Sequence, residues 1–381
     1  MHDRQYGGVR VLDQGDSDTL DAPRTEDGYR LDRVSLIEAQ GPVLFGLQTH
    51  DYHEGSNNRL GAFRITLSAD DDRVFQSVLE RFSFDQTRYI NAHVDFEERT
   101  RTGRWVQRSH VLPGNRLPIY ETLHGGRVDL APGERRSMRY VVEDIRGNSA
   151  RLQFDVAGVA SDSTRQPQRN RSPFMLRHDA PFSMARTGAT LRIPAGAVYR
   201  DQPFEYSLSE DRPQGALSPV HNIHDEREPV HRSYSLSLAI VADDPGDTSQ
   251  LTLARVSSDG RMTWAGGSYA NGAVTGNLRD FGSYTVTADR EAPTLRLLNM
   301  SDGSDMSSRN SIRVRVRDDF SGIDSYSGYI DGEWVLFEYD AKYGLLTHTF
   351  DERTGPGAHE LTLTATDNVG NTKTVTVGFS R

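Results

Sequence analysis

A hairpin motif that occurs twice constrains the fold of this chain more than any other feature of its sequence. Asp144–Asn148 (Asp-Ile-Arg-Gly-Asn) and Asp367–Asn371 (Asp-Asn-Val-Gly-Asn) each lie between two runs of alternating apolar residues. Glycine followed by asparagine supplies positive-φ positions at low cost, so each motif predicts a tight antiparallel turn. Alternation with a period of two places one face of each strand on a core and the other in water. Since the hairpin occurs twice, the sequence predicts an all-β chain of tandem immunoglobulin-like β-sandwich domains joined by short linkers.

The bulk composition restricts the classes of function. A length of 381 residues suits two or three domains, and hydrophobic residues make up 35% of them. A net charge of −10 and a content of only two lysines argue against nucleic-acid binding. There are no cysteines, so disulfides and thiolate metal sites are ruled out. The sequence has no apolar run of membrane-spanning length and no signal peptide after Met1, and it leaves open whether Met1 is the true start.

Shifts in composition predict the domain boundaries. Polar stretches rich in Asp, Gly, Ser and Arg separate segments of alternating apolar residues. The predicted order is a linker or N-terminal extension with a strand or two at 1–33, a β-sandwich domain at 34–158, a linker at 159–171, a second β domain at 172–289 and a C-terminal immunoglobulin-like domain at 290–381. Residues 74–82 have helical spacing after an acidic turn, and we favour a strand there, with a short helix in 89–99. Trp334 is expected to be a core aromatic of the third domain.

Clusters of histidine and carboxylate residues are the natural places to look for a metal. His50–Glu54 places four possible ligands within five residues, and His221–Asp225 with His231 forms a second group. Both groups lie in turn-like or loop-like surroundings, which favours polar residues exposed to solvent over a metal site. His-Glu-x-x-His, His-x-His and Gly-x-Ser-x-Gly motifs are absent from the sequence, so we predict no catalytic residue and no metal ligand. Four acidic residues lie near predicted strand ends of the third domain, namely Asp318, Asp319, Asp324 and Asp367. We favour solvated turn residues, and calcium binding by these carboxylates is the alternative.

The segment 82–96 mixes aromatic with polar side chains in an unusual way. One interpretation is an excursion that packs over the sandwich and buries its polar groups in mutual hydrogen bonds. The other is a contact surface for another domain or a ligand. The candidate residues for domain docking are Phe84, Arg88, Tyr89, Asn91, His93 and Asp95.

Several separated motifs of the first domain keep a recognisable order. They are Gly41–Gly46 (Gly-Pro-Val-Leu-Phe-Gly), Asn57–Gly61, Phe82–Asp95, Pro113–Asn115 and Ile119–Tyr120. Together they make residues 31–156 resemble the region that follows the peptidase domain in lysostaphin-type (LytM-like) zinc metallopeptidases of Bacteroidetes-like bacteria. The last ninety or so residues look like a bacterial immunoglobulin-like domain.

The resemblance implies an exported protein that cuts peptide cross-links in peptidoglycan with zinc held by His-x-x-x-Asp and His-x-His motifs. None of the twelve histidines begins a His-x-His motif, so the expected role is that of the non-catalytic C-terminal region of such an enzyme. Zinc is then expected only in the missing peptidase domain, and the chain itself would need no cofactor. The expected partners are that upstream peptidase domain and peptidoglycan or cell-surface glycan, in the periplasm, at the outer membrane or outside the cell. The alternative is a free-standing extracellular adhesive or carbohydrate-binding protein, which exposed aromatics on a sheet of domain two or three would favour.

Overall fold

The structure, a computed structural model, confirms the predicted all-β fold of tandem sandwiches. It describes residues 7–13, 16–25, 28–32, 36–52, 58–160, 172–209, 211–241 and 245–381. Within these residues three separate hydrophobic cores lie in succession along the chain, the first from Ala22 to Val156, the second from Leu176 to Val286 and the third from Met300 to Phe379. Most of the predicted linker at 159–171 falls on residues 161–171, which lie outside the described residues, as do His53 and Glu54 of the first histidine cluster.

The first domain contains all of the α-helix among the described residues. Its strands are β1 (Gly7–Asp13), β2 (Asp16–Ala22), β3 (Arg24–Thr25), β4 (Gly28–Tyr29), β5 (Leu36–Ala39), β6 (Val43–Gln48), β7 (Asp51–Tyr52), β8 (Arg59–Leu60), β9 (Arg64–Ala69), β10 (Asp72–Val78), β11 (Val106–Arg108), β12 (Tyr120–Thr122), β13 (Arg135–Glu143) and β14 (Ser149–Gly158). Its helices are α1 (Ile90–His93), α2 (Phe96–Thr102) and 3₁₀ turns at Phe84–Tyr89 and His124–Gly126. The strand predicted after the acidic turn is confirmed as β10, and the short helices fall where a helix was predicted.

Two sheets enclose the first core. One has the order β11-β6-β1-β2, and the other has the order β12-β10-β9-β13-β14-β4-β3, with β5 also paired to β14. The linker interpretation of residues 1–33 is wrong for the part between Gly7 and Tyr29, because β1 pairs with β6 from Gly8 to Asp13 and so belongs to the first domain. The sequence pattern hides this because the paired residues of the two strands lie 30 to 40 residues apart and the segment is rich in Asp and Gly.

The second domain is a sandwich of two five-stranded sheets. Its strands are β15 (Met175–Leu176), β16 (Phe182–Arg186), β17 (Ala189–Ile193), β18 (Gln202–Pro203), β19 (Tyr206–Ser209), β20 (Val220–Ile223), β21 (Pro229–Ala239), β22 (Leu251–Val256), β23 (Met262–Gly266), β24 (Ser268–Ala270), β25 (Ala273–Asp280) and β26 (Gly282–Ala288), with a 3₁₀ turn at Thr248–Gln250. The sheets have the orders β16-β17-β21-β25-β24 and β19-β20-β26-β22-β23, and β15 pairs with β18. Alternation in β17, with Leu191 and Ile193 buried and Arg192 exposed, shows how each strand contributes one face to the core.

The third domain is also a sandwich, with one four-stranded and one five-stranded sheet. Its strands are β27 (Thr294–Leu297), β28 (Ser304–Asp305), β29 (Ser311–Arg317), β30 (Ile323–Ile330), β31 (Glu333–Val335), β32 (Glu338–Asp340), β33 (Leu345–Thr349), β34 (Ala358–Asp367) and β35 (Thr372–Ser380). They form sheets of order β27-β29-β33-β32 and β28-β35-β34-β30-β31. In β29 the three residues Ile312, Val314 and Val316 are buried, as their alternation with arginine predicts.

Candidate functional site

The six residues proposed for domain docking do not form one surface. Phe84 begins the 3₁₀ turn and is 95% exposed. Arg88 and Tyr89, at the end of the same turn, contact the second domain. Asn91 is half-buried on α1, while His93 and Asp95 are buried within the first domain. The segment therefore combines an interface between domains with an internal polar network.

Arg88 and Tyr89 lie against the second domain through both hydrogen bonds and ring contacts. The Arg88 guanidinium donates to the carbonyl oxygens of Val230 at 2.9 Å and Arg279 at 3.1 Å. The Tyr89 ring stacks on the His231 ring, with centroids 4.1 Å apart. Two hydrogen bonds from one guanidinium and a stacked pair of rings fix both the distance and the relative orientation of the groups they join. These contacts therefore help to set the orientation of the second domain relative to the first.

The second domain completes this interface with Tyr199. Its hydroxyl donates to the carbonyl oxygen of Arg88 at 2.8 Å and lies 2.9 Å from Nδ1 of His231. Its backbone carbonyl accepts a hydrogen bond from the Gly114 amide at 2.8 Å. Burial lowers the pKa of His231, and the positive charge of Arg88 lowers it further. A neutral His231 suits stacking beside that guanidinium.

His93 and Asp95 instead hold the first domain together. His93 Nε2 lies 3.0 Å from Gln107 Oε1, and His93 Nδ1 lies 3.0 Å from the Tyr120 hydroxyl. A neutral imidazole that donates from Nε2 and accepts at Nδ1 satisfies both contacts. Asp95 caps α2 by accepting from the Glu98 amide at 3.1 Å. This is the mutual hydrogen bonding that the structural interpretation of the segment predicts.

The histidine clusters do not converge on one point in the described part of the chain. His221 Nδ1 lies 2.9 Å from the Tyr206 hydroxyl, and burial lowers the pKa values of His221 and His224 to about 4. Two groups of ligand atoms lie close enough to share an ion there, namely His178 with Asp179 and Asp201, and Asp289 with Asp318 and Asp367. His50, His221 and His224 belong to neither group.

The group formed by Asp289, Asp318 and Asp367 brings together residues of two domains. Asp289 directly follows β26 at the end of the second domain, whereas Asp318 and Asp367 follow β29 and end β34 in the third. One carboxylate oxygen of each residue lies within 4.8 Å of those of the other two. Of the four acidic residues singled out in the sequence, Asp318 and Asp367 take part and Asp319 and Asp324 do not. The sequence does not single out Asp289, because Asp318 and Asp367 lie 29 and 78 residues away along the chain.

The outer face of the larger sheet in the third domain is uncharged and hydroxyl-rich over three successive rows of paired residues. The rows are Ser325, Thr366 and Thr372; Ser327, Thr364 and Thr374; and Trp334, Tyr329, Thr362 and Thr376. Threonine hydroxyls pair across β34 and β35, at distances of 2.9 to 3.4 Å. In a chain with 26% charged residues, three neutral rows side by side are a distinct surface, which we call the hydroxyl face.

The expectation that Trp334 is a core aromatic is wrong. Trp334 is 54% exposed, and the strand alternation buries its neighbour Val335 instead. Trp334 lies opposite Tyr329, which is 39% exposed, at the edge of the hydroxyl face. The signal in the sequence is the Thr-x-Thr-x-Thr spacing of 362–366 and 372–376, which puts every threonine on one side of its strand.

Comparisons with known proteins find similarity mainly at the level of fold. A family model described as a Zu5-like domain matches residues 174–289, which is the second domain. No curated protein matches the chain. Among solved structures, it is similar to fibronectin(III)-like modules of CbhA from Clostridium thermocellum, with 7% identity, coverage of 92% of this chain and 90% of that one, and a TM-score of 0.19.

Two further solved structures are distant matches. The Bacteroides ovatus mixed-linkage glucan utilization locus protein SGBP-B, solved in complex with a mixed-linkage heptasaccharide, has 10% identity and a TM-score of 0.16, with 94% of this chain and 67% of that one covered. An endo-beta-1,4-mannanase from Thermotoga petrophila has 20% identity over 24% of this chain and a TM-score of 0.21, and the match spans 20% of the mannanase's own length. Likenesses this distant do not say what this chain binds. In the described residues, no helix has the length and apolar character needed to cross a membrane.

Proposed function

We propose that this chain is an extracellular, non-catalytic β protein that binds a neutral glycan through the hydroxyl face of its third domain. The observation that carries the proposal is the exposed cross-strand pair of Trp334 and Tyr329 beside rows of threonine and serine hydroxyls. Aromatic rings cover the apolar faces of sugar rings, and hydroxyl groups donate to and accept from sugar hydroxyls. A surface without charge suits a polysaccharide without charge.

The geometry of the face favours a long ligand over a small molecule. Four strands contribute residues side by side, with neighbouring strands about 4.8 Å apart, so the face is broad and shallow. A shallow face gains affinity by contacting several sugar units along a chain rather than by enclosing one.

The test is binding of the purified full chain to insoluble polysaccharides. Cellulose, mannan and chitin are suitable probes, with peptidoglycan sacculi as a separate arm. We expect the Trp334→Ala variant to bind about tenfold more weakly, equivalent to ~1.4 kcal/mol, because it removes the largest ring of the face. Trp264→Ala is the matched control, since Trp264 is a 37% exposed tryptophan of the second domain.

Two outcomes would contradict the proposal. One is that none of the polysaccharides retains the wild-type chain. The other is that Trp334→Ala and Trp264→Ala lose the same affinity, which would place the binding surface elsewhere. Circular dichroism on both variants checks that each still folds.

A second candidate function is supported by the motifs of residues 31–156. On the resemblance to the region after the peptidase in lysostaphin-type enzymes, the chain would be an accessory region of a cell-wall metalloendopeptidase, and the glycan would be peptidoglycan. Zinc would then be held in the peptidase domain. Retention on sacculi combined with no retention on cellulose, mannan or chitin would favour this candidate, and the reverse pattern would favour a free-standing glycan-binding protein.

A further inference from the structure

Three carboxylates meet between the second and third domains. Asp289 and Asp367 are 4% and 1% exposed, and Asp318 is half-buried. In the described part of the chain, no arginine, lysine or histidine forms an ion pair with any of the three. Bringing like charges together away from water is unfavourable unless a cation joins them.

The carboxylates are already held in place by neighbouring amides. Asp318 Oδ1 accepts from the amides of Gly322 at 2.7 Å and Phe320 at 3.0 Å. Asp367 Oδ1 accepts from the Asn371 amide at 2.8 Å, and Asp289 Oδ2 accepts from the Ser321 amide at 3.2 Å. Amide hydrogen bonds orient a carboxylate but leave lone pairs on its oxygens available, as they do in carboxylates that bind a metal directly.

The Ser321 hydroxyl is a separate observation that points to a ligand. Ser321 is 3% exposed, and its Oγ has no hydrogen-bond partner among the described residues. The backbone amide of Ser321 donates to Asp289 Oδ2 at 3.2 Å, so this hydroxyl belongs to a residue that already contacts the carboxylate group. A buried hydroxyl without a partner is unfavourable by about 1–3 kcal/mol, and an oxygen ligand to a cation would remove that cost.

We propose that this junction binds one calcium ion through the carboxylates of Asp289, Asp318 and Asp367 and the hydroxyl of Ser321. All four ligands are oxygens, which suits a hard cation. Calcium accepts six to eight oxygens in irregular arrangements, whereas magnesium requires nearly ideal octahedral geometry and keeps several waters. Ligands from three separate chain segments favour the more permissive ion.

Calcium here joins the second domain to the third. Asp289 directly follows β26 of the second domain, whereas Asp318 and Ser321 lie in the loop after β29 and Asp367 ends β34 of the third. The Asn371 side chain adds a direct link, donating to the Asp289 carbonyl at 3.0 Å and accepting from Gln250 Nε2 at 2.7 Å. The ion therefore stabilises the junction and fixes the position of the hydroxyl face relative to the second domain.

Equilibrium dialysis of the full chain with radioactive calcium, after stripping with EDTA, tests the proposal directly. We expect one calcium ion per chain, competition by magnesium only at much higher concentration, and a thermal midpoint that rises with calcium. Asp318→Asn keeps the amide-accepting oxygen but removes the charge, so it should fold and bind calcium at least about tenfold more weakly. Ser321→Ala should weaken binding by a smaller factor.

Asp319→Asn is the matched control. Asp319 is the exposed neighbour of Asp318 in the same loop and lies outside the carboxylate group, so this change should leave calcium affinity unaltered. The proposal is overturned if the wild-type chain takes up no calcium in dialysis, if magnesium binds equally well, or if Asp319→Asn loses as much affinity as Asp318→Asn.

Discussion

At the scale of single residues, His93 shows how one buried side chain makes stability depend on pH. It is 2% exposed, and burial lowers its pKa to about 4 from an ordinary value near 6.5. Between those two pH values the unfolded chain binds a proton that the folded chain does not. The contribution of His93 to the free energy of unfolding is therefore fully present above pH 6.5 and is lost as the pH falls toward 4. Between pH 7 and pH 5 the loss is about 2 kcal/mol for a histidine of this kind.

His93→Gln should reduce this dependence. Glutamine offers a donor toward Gln107 and an acceptor toward Tyr120 but does not titrate. Urea unfolding at pH 7 and pH 5 measures the change, and the variant should lose less free energy of unfolding over that interval than the wild type does. His124→Gln, at an exposed histidine, serves as the control and should behave as wild type. An identical pH dependence in wild type and His93→Gln would show that His93 is not neutral in the folded state.

The same residues show what sequence patterns reveal at this scale. The composition of 82–96 correctly marks a segment rich in specific contacts, because aromatics mixed with Arg, Asn, His and Asp are unusual on a plain strand. It does not show that Arg88 points to the second domain while His93 points inward. That division depends on where α1 lies on the sandwich, which is set by contacts far apart in the sequence.

At the scale of secondary-structure elements, the two Asp-x-x-Gly-Asn hairpins have the same internal geometry. In each, the first Asp accepts from the backbone amides of the third and fifth residues and from the side-chain amide of the closing Asn. Gly147 and Gly370 have φ values of 85° and 95°. The expectation that the asparagines also take positive φ is wrong, since neither Asn148 nor Asn371 does. The role of each asparagine is to bind back to the aspartate.

Replacing the hairpin glycines therefore tests backbone conformation alone. A Cβ at Gly147 or Gly370 would meet no atom within 4 Å, so only the positive φ opposes the substitution. Gly147→Ala and Gly370→Ala should each lower the free energy of unfolding by about 1–2 kcal/mol, measured by urea unfolding. Gly61→Ala is the control, because Gly61 also faces open space but has no positive φ, and it should be neutral or slightly stabilising. Equal effects at all three sites would refute the conformational explanation.

Alternation made the strands of all three domains predictable, but not the surfaces they form. Leu361, Leu363 and Ala365 are buried as their spacing predicts, and the threonines between them face outward. The sequence does not show that Trp334 is exposed, because a strand of three residues is too short to display an alternating pattern. Its exposure follows from pairing with Tyr329, which only the register of β30 and β31 determines.

At the scale of the whole molecule, the two junctions between domains are built differently. The first uses stacked rings and hydrogen bonds around Tyr89, Arg88 and Tyr199. The second uses carboxylates and the hairpin that ends in Asn371, and by our proposal it needs a cation. The sequence marks one side of each junction, Arg88 with Tyr89 and Asp318 with Asp367. It does not reveal their partners in the second domain, because those partners lie many positions away along the chain.

Gly114 allows the first junction to be tested without altering either domain's own fold. A Cβ there would lie 2.9 Å from the Tyr199 Cα, across the interface, while Gly114 does not have a positive φ. Gly114→Ala should therefore push the first two domains apart, weakening the contact by about 1–3 kcal/mol, as overpacking does. Small-angle X-ray scattering should show a larger radius of gyration, with circular dichroism unchanged. Gly61→Ala, in open space on the same domain, should leave the radius as in wild type. If Gly114→Ala leaves it unchanged too, Tyr199 and Gly114 are not in contact in solution.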